Sequence, residues 1–322
     1  MKAAVRTKYG SPEVLSIREL EIPIPKDDEV LIRVHATTVN RSDCHILTGM
    51  PLPMRLFTGL FKPKLSITGT DFTGQIEATG KNVTAFNAGD KIMGFGGAMG
   101  CGSHAQYFTY PDTKANKAIV TMPGNLTYHE AAACLEGAFY AAAQLNPLKP
   151  KPGQKALVIG ATGAIGSSYV QFLKYYGVYI TAICRSENKE LVISLGADKI
   201  IDYTTEDFTK DKEQYDFVFD AVGKSSFFKC KPLLKKNGVY TSSGGFINLF
   251  LILITPVFGS KKVVFSFAQS ITKELNFIKD LIEKGRFRPV IDRTYPLEKI
   301  AEAFIYVAAG KKIGNVIITM DD

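Results

Sequence analysis

The stretch Ala156–Ser168 constrains the fold more than any other part of the chain. The apolar run Leu157-Val158-Ile159 reads as a buried strand, and it ends in the turn Gly160-Ala161-Thr162-Gly163-Ala164-Ile165-Gly166. Ile165, Tyr169, Phe172, Leu173 and Tyr176 then fall on one face of a helix, which Gly177 can cap. Strand, glycine turn and helix in that order suit a dinucleotide. The helix N-terminus offers free N–H groups and a partial positive charge to a pyrophosphate, and glycines let the backbone come close. The glycines alone would equally suit a tight turn in another α/β domain. Ala161 also stands where the first glycine of G-x-G-x-x-G is expected.

The next strand pattern, Val178–Ile183, sharpens the cofactor. An NAD site carries Asp or Glu at the end of this strand, about 20 residues past the motif, for the ribose 2′-hydroxyl. Here the tip reads Cys184-Arg185-Ser186. Arg185 can pair with a 2′-phosphate, and Lys189 is a second cation, so the expectation is NADPH rather than NADH. A solvated turn is the plainer reading of both.

Strand and helix patterns then alternate: helix Lys189–Leu195, Lys199–Ile201, Phe217–Asp220, helix Ser225–Lys235, Val239–Ser242 and Val263–Phe267. That is the order of an α/β, doubly wound parallel (Rossmann) sheet. The first third is β-rich, with Val30, Ile32, Val34 and Ala36 alternating with Leu31, Arg33 and His35, and further strands at Phe72–Thr79, Lys91–Gly94 and Tyr107–Tyr110. Gly94–Gly102 reads as a loop and Tyr128–Leu145 as one alanine-rich helix stopping near Pro147. Helix Ile271–Lys284 ends at Gly285, a last helix places Leu297, Ile300, Ala301 and Phe304 on one face, and Asn315–Thr319 is a final strand.

At 322 residues two domains are expected. The net charge of +8 favours anionic ligands, but the Lys and Arg are scattered, which argues against nucleic acid. Short runs such as Lys311-Lys312 read as solvated surface. The five cysteines are widely spaced with no C-x-x-C, so a disulfide framework or structural zinc is not expected and a reducing compartment, the cytoplasm, fits. The N-terminal segment lacks the apolar core of a signal peptide. The most apolar segment, Phe246–Phe258, is too short to span a bilayer and contains Pro256. It reads as buried or interface-lining, with an exposed cofactor-side loop as the alternative.

A set of motifs spread over nearly the whole chain resembles the medium-chain dehydrogenase/reductase superfamily. Asn40-Arg41-Ser42-Asp43 matches its N-x-x-D, and Gly69-Thr70-Asp71-Phe72-Thr73-Gly74 its G-x-(D/E)-x-x-G. Further matches are Gly89-Asp90-Lys91-Ile92-Met93-Gly94, Leu195-Gly196-Ala197-Asp198, Asp220-Ala221-Val222-Gly223 and Gly310 to Ile318. Zinc alcohol dehydrogenases of the superfamily carry a zinc-binding Cys where Asn40 stands and a His-Glu pair where Thr70-Asp71 stands. Neither Asn nor Thr suits zinc. The chain therefore resembles the zinc-independent quinone oxidoreductase branch, and within it the reticulon-interacting-protein-like reductases.

The resemblance implies a GroES-like catalytic domain over 1–123 and 286–322, a Rossmann domain over 124–285, and a cofactor in the cleft between them. It implies a metal-independent enzyme that moves hydride from NADPH to a small apolar quinone or α,β-unsaturated carbonyl. Charge then develops on the acceptor oxygen, which needs hydrogen-bond donors and a proton. Asn40 is the candidate donor, with a capping amide as its plainer role, and Asp43 the brace of its loop. His45 and His104 are candidate proton donors. Thr162, Gly163, Ala164 and Ile165 are carried over to the pyrophosphate. Arg185, Lys189 and Tyr203 go to the 2′-phosphate side, and Val222, Gly223, Ser243 and Gly244 to the ends of the fourth and fifth strands. The apolar loops Met50–Lys64 and Phe246–Ser260 suit a hydrophobic acceptor. One departure stands out: the family's last strand begins Gly-Lys, here Gly314-Asn315, so a cation near the nicotinamide is expected to be missing. A homodimer paired through edge strands of the nucleotide sheet is compatible with the resemblance. So is a non-catalytic relative that senses the nucleotide, acts as a scaffold or binds RNA.

Overall fold

A computed structural model of the chain describes residues 1–97, 100–111, 118–244, 247–265 and 270–320. At the start, β1 (Lys2–Val5) pairs antiparallel with β2 (Ser16–Glu19). The long strand β3 (Glu29–Val39) buries Val30, Ile32, Val34 and Ala36 as the alternation predicts, and Arg33 is exposed. α1 (Arg41–Thr48) follows at once. Asn40 is its N-cap, with the Asn40 N–H donating to Asp43 Oδ2 at 2.8 Å. A short helix α2 (Arg55–Thr58) precedes β4 (Asp71–Thr79), β5 (Lys91–Phe95), β6 (Tyr107–Pro111) and β7 (Ile119–Thr121). Residues 98 and 99 of the expected glycine-rich loop lie outside the described residues.

The expected helix Tyr128–Leu145 is two helices, α3 (Tyr128–Ala132) and α4 (Glu136–Leu145). Thr127 and Glu130 form a capping box at the start of α3. The break has a tertiary cause: the Asn315 side-chain amide donates to the Ala133 carbonyl at 2.8 Å, taking that oxygen out of the helical ladder.

The second sheet is built from β8 (Lys155–Ile159), β9 (Tyr179–Cys184), β10 (Lys199–Asp202), β11 (Tyr215–Asp220), β12 (Leu234–Ser242) and β13 (Lys262–Val263). Its order is β10-β9-β8-β11-β12-β13 and every pair is parallel. This is the doubly wound arrangement, with the order reversing at β8. Helix α5 (Ala164–Tyr175) follows β8 and buries Tyr169, Phe172 and Leu173. α6 (Lys189–Ser194) follows β9.

The expected helix Ser225–Lys235 shrinks to α7 (Phe227–Cys230) plus one 3-10 turn, Lys231–Leu233. Pro232 has no N–H to continue the ladder, and Leu234 is already paired with Tyr215 in the sheet. The apolar segment is neither loop nor wholly buried. It forms α8 (Ile247–Phe258), with Asn248, Leu251 and Thr255 inward and Ile247, Phe250 and Leu253 exposed. Phe246, and residues 266 and 267 of the expected sixth strand, lie outside the described residues. Among the described residues no helix is long and apolar enough to cross a membrane.

The chain then returns through α9 (Ile271–Glu283), β14 (Ile291–Pro296), α10 (Ile300–Ala308) and β15 (Asn315–Thr319). The first sheet has the order β14-β15-β3-β4-β5-β7, with β6 also on β3. One edge of β3 meets β4; the other meets β6 along its first half and β15 along its second. Phe72, Ile32, Val316 and the α10 residues Phe304 and Val307 form the core there. Leu157, Val218, Tyr240 and Phe227 lie in the core of the second sheet.

Two compact units result: Met1–Glu136 with Ser270–Glu283 and Arg288–Asp322, and Gly137–Gln269 with Lys284–Phe287. Relative to the boundaries expected from the resemblance, the first unit gains residues 124–136 and α9. Side-chain bonds join these segments to each other and to the rest of the unit, from Asn125 to the Ile282 carbonyl at 3.4 Å and from Lys279 to Thr121 at 2.5 Å.

Candidate active site

In the nucleotide unit the turn after β8 is shaped by its glycines. Gly160 holds φ at 78°, a conformation that L side chains rarely adopt. A Cβ on Gly166 would lie 2.0 Å from the Gly160 carbonyl oxygen, so only glycine lets α5 pack onto the turn. Gly163 is the N-cap and supplies no side-chain acceptor, which leaves the leading N–H groups of α5 without a capping side chain. Thr162 and Ile165 are half-buried beside it, and Ala164 is buried. These residues fit a dinucleotide phosphate.

At the tip of β9 the structure brings together two of the residues expected to face the 2′-phosphate. The Arg185 Nε donates to the Tyr203 hydroxyl at 2.9 Å, and both side chains are exposed. Lys189 is exposed at the first residue of α6. The sequence reading missed Asp202, at the end of the neighbouring strand. Its carboxylate accepts the Ser186 N–H at 2.7 Å and hydroxyl at 2.5 Å, and the Thr204 N–H and hydroxyl at 2.8 and 2.7 Å. These hydrogen bonds stabilise the charged form and hold its carboxyl well below the ordinary carboxylate range. Asp202 is thus committed to shaping the tip.

The ends of β11 and β12 are held by Asp220. Its carboxylate accepts the N–H groups of Val222, Gly223 and Ser225 at 3.2, 2.9 and 2.8 Å, and the Tyr240 hydroxyl at 3.2 Å. Val222 is about half exposed, and Gly223, at φ 65°, lets its backbone approach Gly244 closely. Ser243 and Gly244 are exposed at the adjacent strand end. The candidate residues Val222, Gly223, Ser243 and Gly244 are therefore neighbours.

In the other unit a polar cluster surrounds Asn40. The Asn40 amide is buried and largely used. Its Nδ2 donates to Thr38 Oγ1 at 2.5 Å, and its Oδ1 accepts from the Lys312 ammonium at 3.2 Å. Thr38 in turn donates its hydroxyl to Asp71 Oδ2 at 2.6 Å. The Asn40 amide is thus committed to Thr38 and Lys312, and its second Nδ2 proton is what remains for a ligand. Asp43 braces the backbone N–H of Asn40 through Oδ2, while its buried Oδ1 has no hydrogen-bond partner.

Glu136, at the start of α4, accepts from the hydroxyls of Ser42 and Thr70. Burial pushes its carboxyl up to about 7, with the neighbouring Asp71 adding to the effect. Burial likewise raises Asp71 to about 6 and moves Asp43 well above its ordinary value.

Two expectations are corrected here. His104 is fully buried, with Nε2 against the Thr38 carbonyl at 2.9 Å and Nδ1 against the Thr68 hydroxyl at 2.7 Å. Burial lowers it to about 4, so it stays neutral and serves packing. His45, by contrast, is half-buried with Nδ1 at the Met50 carbonyl. Lys312, read as solvated surface, is instead half-buried and donates to Asn40 Oδ1 and to the Gly314 carbonyl at 2.7 Å, while Asn315 carries no charge. Nothing in the run Lys311-Lys312 distinguishes the two lysines, and only the fold turns one inward.

The donor set does not fit zinc. Asn40 faces an ammonium, Thr70 donates its hydroxyl to Glu136, and neither residue type is a customary ligand. Among the described residues no group of three or more His, Cys, Asp or Glu could hold a metal ion.

Residues 26–124 match the alcohol dehydrogenase GroES-like domain, and residues 195–318 a domain described as zinc-binding dehydrogenase. Three relatives span nearly the whole chain. The 2-methylene-furan-3-one reductase of Solanum lycopersicum is 31% identical, covering 99% of this chain and 79% of the relative. The chloroplastic quinone-oxidoreductase QR1 of Triphysaria versicolor is 30% identical over 99% and 98%. The mitochondrial NAD(P)H oxidoreductase RTN4IP1 of Mus musculus is 28% identical over 99% and 89%. With its parallel nucleotide sheet, its β-rich GroES-like unit and a polar cluster unsuited to zinc, the chain belongs to the medium-chain dehydrogenase/reductase superfamily, in the zinc-independent quinone oxidoreductase branch.

Proposed function

We propose that this chain is a zinc-free, NADPH-dependent reductase of quinones and α,β-unsaturated carbonyls. The observation that carries the reading is the Asn40 cluster, which offers an amide and an ammonium where metal-dependent relatives hold zinc. A bound dihydronicotinamide supplies hydride to the acceptor carbon and is oxidised. The chain's own residues then have two tasks. Gly160 to Gly166 and the start of α5 hold the pyrophosphate, and Asn40 with Lys312 steadies negative charge on the acceptor oxygen. Reducing an enone or quinone needs no Lewis acid to form an alkoxide, which is why hydrogen-bond donors suffice. The exposed apolar side chains Leu52, Leu56, Phe57 and Phe61 favour a hydrophobic acceptor.

Arg185 and Tyr203 support NADPH over NADH, with Lys189 as a further cation. Arg185→Ala is expected to weaken NADPH about 10- to 100-fold and leave NADH unchanged, as one charge-assisted pair predicts. Fluorescence titration with both dinucleotides checks this, and equal wild-type affinities would remove Arg185 from the role. Turnover is measured as NADPH loss with a panel of quinones and enones; no turnover on any of them overturns the reading. Incubation with EDTA should leave the rate unchanged, and stoichiometric zinc by elemental analysis would contradict the metal-free assignment. A homodimer formed through an edge strand of the nucleotide sheet, and a cytoplasmic address, complete the proposal. Sedimentation and imaging of the tagged full chain test them, the mitochondrial and chloroplastic relatives supplying the alternative addresses.

A further inference from the structure

We propose that Lys312 is the acid that protonates the acceptor oxygen after hydride addition, working beside Asn40. This rests on the reductase reading above and names a group that the reading leaves open.

The geometry narrows the donor. Asn40 does not titrate, and its Nδ2 already donates to Thr38. His104 is buried and neutral, with both nitrogens engaged. Lys312 donates to Asn40 Oδ1 and to the Gly314 carbonyl. An ammonium has three donors, so one N–H remains beyond these two bonds. The side chain is half-buried, which keeps it reachable.

The groups facing Lys312 set its acidity. They are Asp43 and Cys44 of α1, Asp71 at the start of β4, Glu136 at the start of α4 and Asp292 of β14. Burial lowers the ammonium to about 8, and the surrounding carboxylates oppose the fall. It is therefore charged at pH 7, yet closer to neutrality than an exposed lysine, as a general acid should be.

The step balances. Two electrons and one hydrogen arrive as hydride at the enone β-carbon, where a C–H bond forms as the C=C π bond breaks. The electron pair moves to the carbonyl oxygen. A Lys312 N–H bond breaks as the O–H bond of the enol forms, and the neutral amine regains a proton from water. The enol then tautomerises to the saturated ketone.

The test uses Lys312→Met and Lys312→Arg. Arginine keeps the charge and the donors but does not give up a proton near pH 8, so it controls for folding. The wild-type kcat should fall as pH rises through about 8, because the acid form is needed. Both variants should lose about 100-fold in kcat at pH 7 and lose that limb. A second readout needs no turnover: NMR titration of labelled lysine side chains in the cofactor-free protein, with Lys312→Arg for assignment. It should show one ammonium titrating near 8 rather than at the ordinary 10.5. An ordinary titration at Lys312 overturns the proposal. Wild-type turnover whose alkaline limb survives in both variants overturns it while leaving the reductase reading intact. No turnover by the wild type overturns both.

Discussion

Glu136 enters the first turn of α4 with its carboxyl against the hydroxyls of Ser42 and Thr70, and with Asp71 and Asp43 nearby. Burial disfavours its charged form, and the neighbouring Asp71 adds to the effect, so the group holds its proton longer than an exposed glutamate. Its folded value is about 7 against an ordinary 4.5. The folded chain therefore binds more protons than the unfolded chain between those limits. The contribution of Glu136 to stability is fully present below about 4.5 and is lost as pH rises through about 7. Glu136→Gln keeps the shape and removes the titration. Urea midpoints taken from pH 5 to pH 7.5 should fall less steeply in the variant than in the wild type, and parallel slopes would contradict the assignment. Around Asn40 local and distant partners combine: Thr38 and Asp43 lie two and three residues away, whereas Lys312 comes from the far end of the chain.

At the level of elements, the β8–turn–α5 unit is specified locally. Gly166 lies against the Gly160 carbonyl with no room for a methyl group. Gly166→Ala should therefore cost about 3 kcal/mol, at the upper end of overpacking effects, and should weaken dinucleotide binding by moving α5 off the turn. Chemical denaturation together with a binding titration reads both. Unchanged stability would mean that the turn relaxes freely. The unit was legible in the sequence because apolar period, glycines and helix face are all local signals. The helix 128–145 was not, because its break at Ala133 depends on Asn315, which arrives from the other end of the chain. The segment 225–235 was misread for a related reason: pairing of Leu234 with Tyr215 ends the helix early.

For the whole molecule, the first unit is made from both ends of the chain. β15 lies between β14 and β3, and it supplies buried Val316, Ile317 and Ile318. A chain ending at residue 313 would leave Ala36–Val39 unpaired on that edge and open the core around Phe72 and Phe304. Such a chain should lose the near-ultraviolet signal of its packed aromatics and bind a hydrophobic dye. Native-like packing without β15 would show that the unit closes without its return strand. The second unit, by contrast, takes nearly all its residues from one continuous stretch.

The sequence by itself determined the parallel nucleotide sheet, the glycine turn, the β-rich first third and the absence of customary zinc ligands at Asn40 and Thr70. Each of these is carried by residues adjacent in the chain or by side-chain chemistry at a single position. Only the tertiary structure decided what Lys312, Glu136 and Asp202 do, because burial and charge partners belong to the assembled unit rather than to any segment. It turned His104 from a candidate proton donor into a packed neutral ring. It also turned Lys312, one of two adjacent lysines, inward onto Asn40.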